Sequence, residues 1–267
     1  KPGMVGDGIR KELKVTGKVA ALTENEQLAE GVASYRRYVL GQAEELQEET
    51  EEFTDALRAG DAEKAKELYP EARRYYERIE PIAESFTDLD VKIDIREGGN
   101  PEGTEWTGFH RIEKELWKNK DVEKAATFAD RLDADVAELR RTLKTTKITP
   151  EQLANGARQL MDEVATGKIT GEEERYSHTD LDDFLANLEG AEVAYSSLRP
   201  VVAERDAKLA KKVDEQFEDV EEKLLVHRSG DRFVTYDKLT KAQIRELARA
   251  VDGLSEPLSQ VSAVVLR

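Results

Sequence analysis

Apolar residues recur along most of this chain at steps of three and four, the period of one helix face. Leu28, Val32, Tyr35, Val39, Gln42, Leu46, Phe53 and Leu57 form one such stripe and predict a helix of roughly 30 residues. Thr23-Glu-Asn-Glu26 stands before it as a capping box, in which the hydroxyl and the carboxylate satisfy orphan N–H groups. Gly60 ends this helix and Asp61 caps the next. The second pattern runs from about Ala62 to about Phe86, with Pro70 and Pro81 inside or between its parts. Each Pro lacks an N–H and crowds the carbonyl four residues earlier, Glu77 in the case of Pro81, so a kink or break is expected.

Residues 88–103 read as extended or irregular, because Val91, Ile93 and Ile95 alternate with polar positions before the turn at Gly98-Gly-Asn-Pro101. A short helix is predicted from about Glu105 to Trp117 and a longer one over Asp121–Lys144. Thr149-Pro-Glu-Gln152 is a second capping box, with Pro at the first helical position, and that helix ends at Gly167. Lys168–His178 reads as a loop or short turn. Helices follow from near Thr179, and from near Pro200 to about His227. Gly230–Asp237 is a loop, and Thr240-Lys-Ala-Gln243 caps the last helix. No run reads as a sheet core. Amphipathic helices joined by short loops make residues 25–267 an all-α chain of helical bundles, with room for two side by side.

Residues 1–24 differ. Gly3, Gly6, Gly8 and Gly17 interrupt any helix, and Glu12–Thr16 alternates like a short strand. A leader, or the last strand of a preceding domain followed by a linker, is expected there. The chain starts at Lys1 without a signal-peptide hydrophobic region, which is the look of a processed or trimmed sequence.

Charge narrows the function. Asp plus Glu number 57 against 41 Lys plus Arg, a net charge of −16. That argues against nucleic-acid phosphates or an anionic lipid surface as partner and favours cations. No apolar run approaches ~18 residues, so no membrane span is predicted. With no Cys and only Met4 and Met161, thiolate chemistry and a soft Cu(I) site are excluded.

The candidate chemistry is metal ligation. His110 and Glu113 lie three apart, one turn of a helix, where imidazole and carboxylate can chelate one cation. Spacing alone is unspecific: 3 His and 57 acids in 267 residues give about 0.6 such matches by accident. The surroundings sharpen it, since Gly108 removes bulk beside His110 and Trp106, Phe109 and Trp117 offer an apolar shell. Glu77 and Glu80 are a second pair, set among Tyr75, Tyr76, Ile79 and Ile82 beside Pro81, where half-buried acids need a partner. Asp94 sits between Ile93 and Ile95 and is expected to face away from both. Glu172, Glu173 and Glu174 form an acidic run in a loop. There is no H-E-x-x-H, inverted or direct, no G-x-S-x-G and no phosphate-cradling glycine loop.

Trp106-Thr-Gly-Phe-His-Arg-Ile-Glu113 resembles the G-x-H-x-x-E signature of the imelysin-like family. Tyr75–Phe86, Ile93-Asp-Ile-Arg96, Lys168-Ile-Thr-Gly-Glu-Glu173, Arg175–Leu181 and Tyr236–Thr240 extend the likeness to the helical domain of its EfeO branch, the extracytoplasmic part of EfeUOB-type iron uptake. The resemblance implies a bilobed fold of two four-helix bundles with a metal site in the cleft. It implies His110, Glu113, Glu77, Glu80, Asp94 and one acid of the 172–174 run, Glu173, as ligands. Lys11–Gly17 is similar to the end of the cupredoxin domain that precedes many EfeO chains.

The expected function is therefore capture of ferric or ferrous iron outside the cytoplasm, in the periplasm or at the cell surface, including as a lipoprotein. Implied partners are an EfeU-type permease and an EfeB-type haem peroxidase. Carboxylates with one imidazole suit Fe(III), Fe(II) or Mn(II), with Zn(II) or another divalent ion as a substitute. Five acids and a neutral His around one trivalent ion would leave the site negative, which suggests two ions or a cluster of variable membership. A metallopeptidase is the alternative, disfavoured because so many acids would acidify a bound water poorly. A cation-bridged binder of an anionic polysaccharide is another, disfavoured by an aromatic content of 6%.

Overall fold

The computed structural model describes residues 22–230 and 232–267. The expectations for residues 1–21, the strand at Glu12–Thr16 and the cupredoxin-like end at Lys11–Gly17 among them, lie outside the described residues.

The apolar stripe of the first helix is realised as α1, Glu24–Arg58, which buries Tyr35, Val39, Ala43, Leu46, Phe53 and Leu57. At 1.5 Å per residue it is roughly 50 Å long. Both halves of its capping box form: the Thr23 N–H donates to Glu26 and the Glu26 N–H to the Thr23 hydroxyl. Gly60 takes the left-handed conformation, and Asp61 then caps α2, Ala62–Glu77. The capping boxes at Thr149 and Thr240 open α7, Pro150–Thr166, and α11, Lys241–Val265, at the expected residues.

Several boundaries are corrected. The second pattern does break, as expected, at Pro81 rather than at Pro70. Pro70 lies inside α2 without ending it, whereas the chain after Glu77 continues as a 3₁₀ segment, Glu80–Phe86, with Pro81 in its first turn. Residues 88–103 are not extended throughout, because Thr87–Ile93 is helix α3. Phe86, Leu89 and Ile93 are the buried positions, spaced three and four apart, so the helical period wins over the alternation of Val91, Ile93 and Ile95. The next helix begins at Phe109, not Glu105. Gly108 precedes it with φ +87, and a Cβ there would stand 2.2 Å from the Ile93 carbonyl oxygen. This glycine serves the backbone crossing more than the space beside His110. After α4, Phe109–Glu113, the helix widens to a π-turn, Lys114–Asn119. Asp121–Lys144 is two helices, α5 (Val122–Ala126) and α6 (Ala129–Leu143). The Pro200–His227 run is also two, α9 (Arg199–Arg205) and α10 (Ala207–Leu225). Asp206 separates them by accepting the Leu209 N–H as a new cap. The loop after α10 holds a minimal antiparallel hairpin, β1 (Arg228–Ser229) with β2 (Arg232–Phe233).

Two bundles result. In the first, α1 packs against α2 and α6, and the fourth position is filled by the broken series α3, α4 and α5. In the second, α7, α8 (Asp180–Ser196), α10 and α11 pack in a ring. They meet where α8 lies on α2 and α7 on the 3₁₀ segment. The approach is close: a Cβ on Gly156 of α7 would come within 1.8 Å of the Pro81 carbonyl oxygen. The residues flanking this seam carry the polar chemistry.

Candidate metal centre

Each chemically interesting side chain reaches the seam from a different element. α2 supplies Arg73 and Glu77, one turn apart on its buried face. The 3₁₀ segment supplies Glu80, the C-terminal end of α3 Asp94, and α4 His110 and Glu113. The loop after α7 gives Lys168, Glu173 and Glu174, and α8 gives Asp180, Asp183 and Asn187. That loop is stapled by Tyr236, whose hydroxyl donates to the Ile169 carbonyl at 2.5 Å and whose N–H donates to the His178 carbonyl at 2.8 Å.

His110 is the centre of the arrangement. It is 2% exposed, and neither ring nitrogen has a hydrogen-bond partner among the described residues. Four carboxylates ring it. Nδ1 lies 3.5 Å from Glu113 Oε2 and 3.6 Å from Glu174 Oε1; Nε2 lies 3.5 Å from Asp94 Oδ1 and 3.8 Å from Glu173 Oε1. Two ligand groups therefore share the imidazole, Asp94–His110–Glu173 and His110–Glu113–Glu174, and a third, Glu77–Glu80–Asp94, adjoins them through Asp94. The pair read from the i, i+3 spacing does converge, and Asp94 and Glu173 join it from elsewhere in the chain. Of the acidic run, Glu173 and Glu174 point inward while Glu172 pairs outside with Arg175 at 3.0 Å.

Two buried cations were not legible in the sequence. Arg73, 0% exposed, binds Glu77, Asp94, Glu174 and Asp183, with its guanidinium 5.6 Å from the centre of the Phe109 ring. Lys168, also fully buried, donates to Glu77 at 2.7 Å and Glu80 at 2.8 Å and stands 3.5 Å from Glu173. Glu77 thus spends both oxygens on Arg73, Lys168 and Asn187. The available signals were weak: Arg73 continues the buried face of Tyr69 and Tyr76 at the next turn, and Asp183 and Asn187 interrupt an otherwise apolar stretch of α8 at i, i+4.

The charges do not balance. Eight carboxylates (Glu77, Glu80, Asp94, Glu113, Glu173, Glu174, Asp180 and Asp183) face two permanent buried cations, which leaves six negative charges if all are ionised. A low-dielectric site cannot hold that excess, so protons or added cations must relieve it. Burial pushes Glu80, Glu174 and Asp183 well above the usual carboxylate range and Asp94 up to about 6. Burial works the same way on Glu77, but Lys168 and Arg73 outweigh it and hold its pKa at about 2. For Glu113 burial is outweighed by the facing His110 and two backbone N–H groups, and for Glu173 by Lys168 and His110, so both are lowered.

The centre has its larger opening on the side of Glu80, Asp94 and Glu173. A cleft of about 260 Å³ is lined by Glu80, Asp94 and Glu173, with Glu84, Asp90 and Glu163 further out and Arg96 the one basic residue. Its walls are otherwise small or aliphatic, with no aromatic ring among the lining residues. Such a cleft draws cations in and presents hard oxygen donors, with the His110 nitrogen behind Asp94 and Glu173.

A family model described as Imelysin matches residues 31–261. The iron uptake system component EfeM of Bacillus subtilis is 44% identical over 255 residues, 95% of this chain and 65% of its own length. An Efem/EfeO family lipoprotein of Staphylococcus haemolyticus is 44% identical over 89% of this chain and 84% of its own. The iron uptake system component EfeO of Escherichia coli K12 is 42% identical over 89% of this chain and 64% of its own. The chain thus spans just under two thirds of the EfeM and EfeO proteins. A crystal structure of an iron-regulated protein A precursor from Parabacteroides distasonis superposes with a TM-score of 0.72 at 16% identity, over 92% of this chain and 97% of that one, and shows that the fold is shared.

Proposed function

This chain belongs to the imelysin family, and from that premise we propose that it binds iron at His110 as the capture component of an extracytoplasmic iron-uptake system. The observation that carries the reading is the His110 ring itself: two buried, unpartnered nitrogens with four carboxylate oxygens at 3.5–3.8 Å. A buried imidazole surrounded by acids has an obvious complement in a cation. Glu80 at the rim extends the donor set, and Glu77 holds the two buried cations in place. Three carboxylates along one cleft, Glu80, Asp94 and Glu173, with an imidazole behind them, are hard to borderline ligands, suited to Fe(III) and Fe(II). The names of the EfeM and EfeO relatives support iron as the cargo, and the lipoprotein relative supports a place outside the cytoplasm. In this reading the iron passes on to an EfeU-type permease, with an EfeB-type haem peroxidase as the third component.

The test is titration of the purified protein with ferric citrate, and with ferrous iron under anaerobic conditions. His110→Ala should weaken binding at least tenfold, about 1.4 kcal/mol. Wild-type affinity in that variant would refute the reading. Hydrolysis of generic peptides by the metal-loaded protein is the assay for the peptidase alternative, and no cleavage is expected. Binding of an acidic glycan is not favoured, since the cleft offers no aromatic ring on which a sugar could stack.

A further inference from the structure

The geometry points to a handed site: the cation binds on the Nε2 side of His110 with Asp94 and Glu173, and Glu113 is a positioning residue that accepts the Nδ1–H. This deepens the iron-site reading above and rests on it. The sequence spacing suggests the opposite, that His110 and Glu113 chelate one ion together.

The two nitrogens of an imidazole point away from each other across the ring, so one ion engages only one of them. The four surrounding carboxylates divide accordingly, two on each side. Access separates the sides. Asp94 and Glu173 line the 260 Å³ cleft, whereas Glu113 and Glu174 are 0% exposed. A second hollow, lined by His110, Glu113, Glu173, Trp106 and Tyr176, measures only about 10 Å³, room for one water at most.

Prior commitments separate them too. Glu174 is filled: Oε1 takes the Tyr69 hydroxyl at 3.2 Å and Arg73 Nε at 2.7 Å, and Oε2 takes the Ser177 hydroxyl at 2.6 Å. Arg73 also binds Asp94, so the difference lies in Glu174, both of whose oxygens are taken, against Glu173, which among the described residues is held only by ion pairs to Arg96 at 3.1 Å and Lys168 at 3.5 Å. Glu113 is pinned: its Oε1 accepts the Tyr176 and Ser177 N–H groups, each at 2.7 Å. Its Oε2 is left without a hydrogen-bond partner, 3.5 Å from Nδ1. A shift of about 0.5 Å would bring that distance to ordinary N–H···O length. When Nε2 ligates, Nδ1 carries the proton and needs an acceptor, and a carboxylate there fixes both the tautomer and the ring plane. Nδ1 is also the nitrogen nearer the backbone, which suits a partner one turn along the same helix, while Nε2 faces Asp94 and Glu173, which line the cleft.

The experiment uses protein with ¹⁵N-labelled histidine and Ga(III) citrate, a diamagnetic ion of ferric charge. The expected result is a Ga(III)-dependent shift at His110 Nε2 with the proton retained on Nδ1. A shift at Nδ1 with loss of its proton overturns the handed arrangement and leaves iron binding at His110 standing. No response at either nitrogen overturns both. A second measurement separates ligand from positioner. Glu113→Gln should lower iron affinity about 10–100-fold, while X-ray absorption of the loaded variant keeps the wild-type number of oxygen neighbours. Loss of one oxygen neighbour in that variant makes Glu113 a ligand and refutes the proposal.

Discussion

Replacing Lys168 with Met tests how the buried acids are held when no metal is present. The ammonium donates to Glu77 and Glu80 from a fully buried position. Burial favours protonated Glu77, yet Lys168, and after it Arg73, keep its pKa at about 2 against an ordinary 4.5. A carboxylate so held stabilises the fold by about 3 kcal/mol, at 1.36 kcal/mol per pH unit. Because the folded pKa is the lower one, this contribution is complete above pH 4.5 and is lost as pH falls towards 2. Methionine retains most of the stem volume and removes the charge. Breaking a buried pair typically costs about 3–5 kcal/mol. The cost has a ceiling, because Glu77 can escape by binding a proton: from an ordinary pKa that takes about 4 kcal/mol at pH 7.5 but only about 1.4 at pH 5.5. In the variant Glu77 becomes a group with a raised folded pKa, so its penalty grows as pH rises through that value. The melting temperature of the metal-free variant should therefore lie about 6–16 °C below wild type at pH 7.5, at about 2–4 °C per kcal/mol for a chain of this size. At pH 5.5 the gap should close to about 5 °C or less on the same scale. Thermal unfolding followed by circular dichroism from pH 5 to 8 measures it. A gap that stays constant or widens on acidification, or one under 2 °C at pH 7.5, shows that Lys168 does not hold this cluster.

Iron affinity should fall as pH drops from about 7 to about 5, since the centre must shed protons to accept a cation. Asp94, raised by burial to about 6, and Glu80, raised well above its usual range, both bind protons more readily than ordinary carboxyls and so compete with the metal. Calorimetry in two buffers of different ionisation enthalpy counts the protons released; none at pH 6, with flat affinity between pH 5 and 7, contradicts this. Glu80→Ala should weaken iron binding at least tenfold, about 1.4 kcal/mol, and equal affinity by titration removes Glu80 from the donor set. Gly108→Ala should lower the melting temperature by several degrees, because its φ of +87 and the Ile93 carbonyl 2.2 Å from the added Cβ together cost about 2–4 kcal/mol. Wild-type melting in that variant would mean the crossing relaxes freely.

The local grammar of this chain was written in its order of residues. Thr23, Thr149 and Thr240 start helices through short-range side-chain bonds that depend on residues three apart, so no tertiary contact was needed to find them. The stripe from Tyr35 to Leu57 likewise fixed the buried face of α1, and the His110–Glu113 spacing placed two donors on one turn. Where two periods competed within seven residues, at Thr87–Ile93, or where one Asp recapped a long run, at Asp206, sequence alone misplaced the boundaries. Arg73, Lys168, Glu174 and Asp183 belong to the centre for reasons that local patterns only hint at. A surface Arg or Lys and a buried one look the same in sequence; what distinguishes them is the set of acids that folding brings from 88 to 110 positions away. The tertiary structure alone decided which acids share which nitrogen of His110, and which of them see the cleft. Helical periodicity says which side of one helix a residue occupies, and the charge balance of a buried site is summed over all the elements that enclose it.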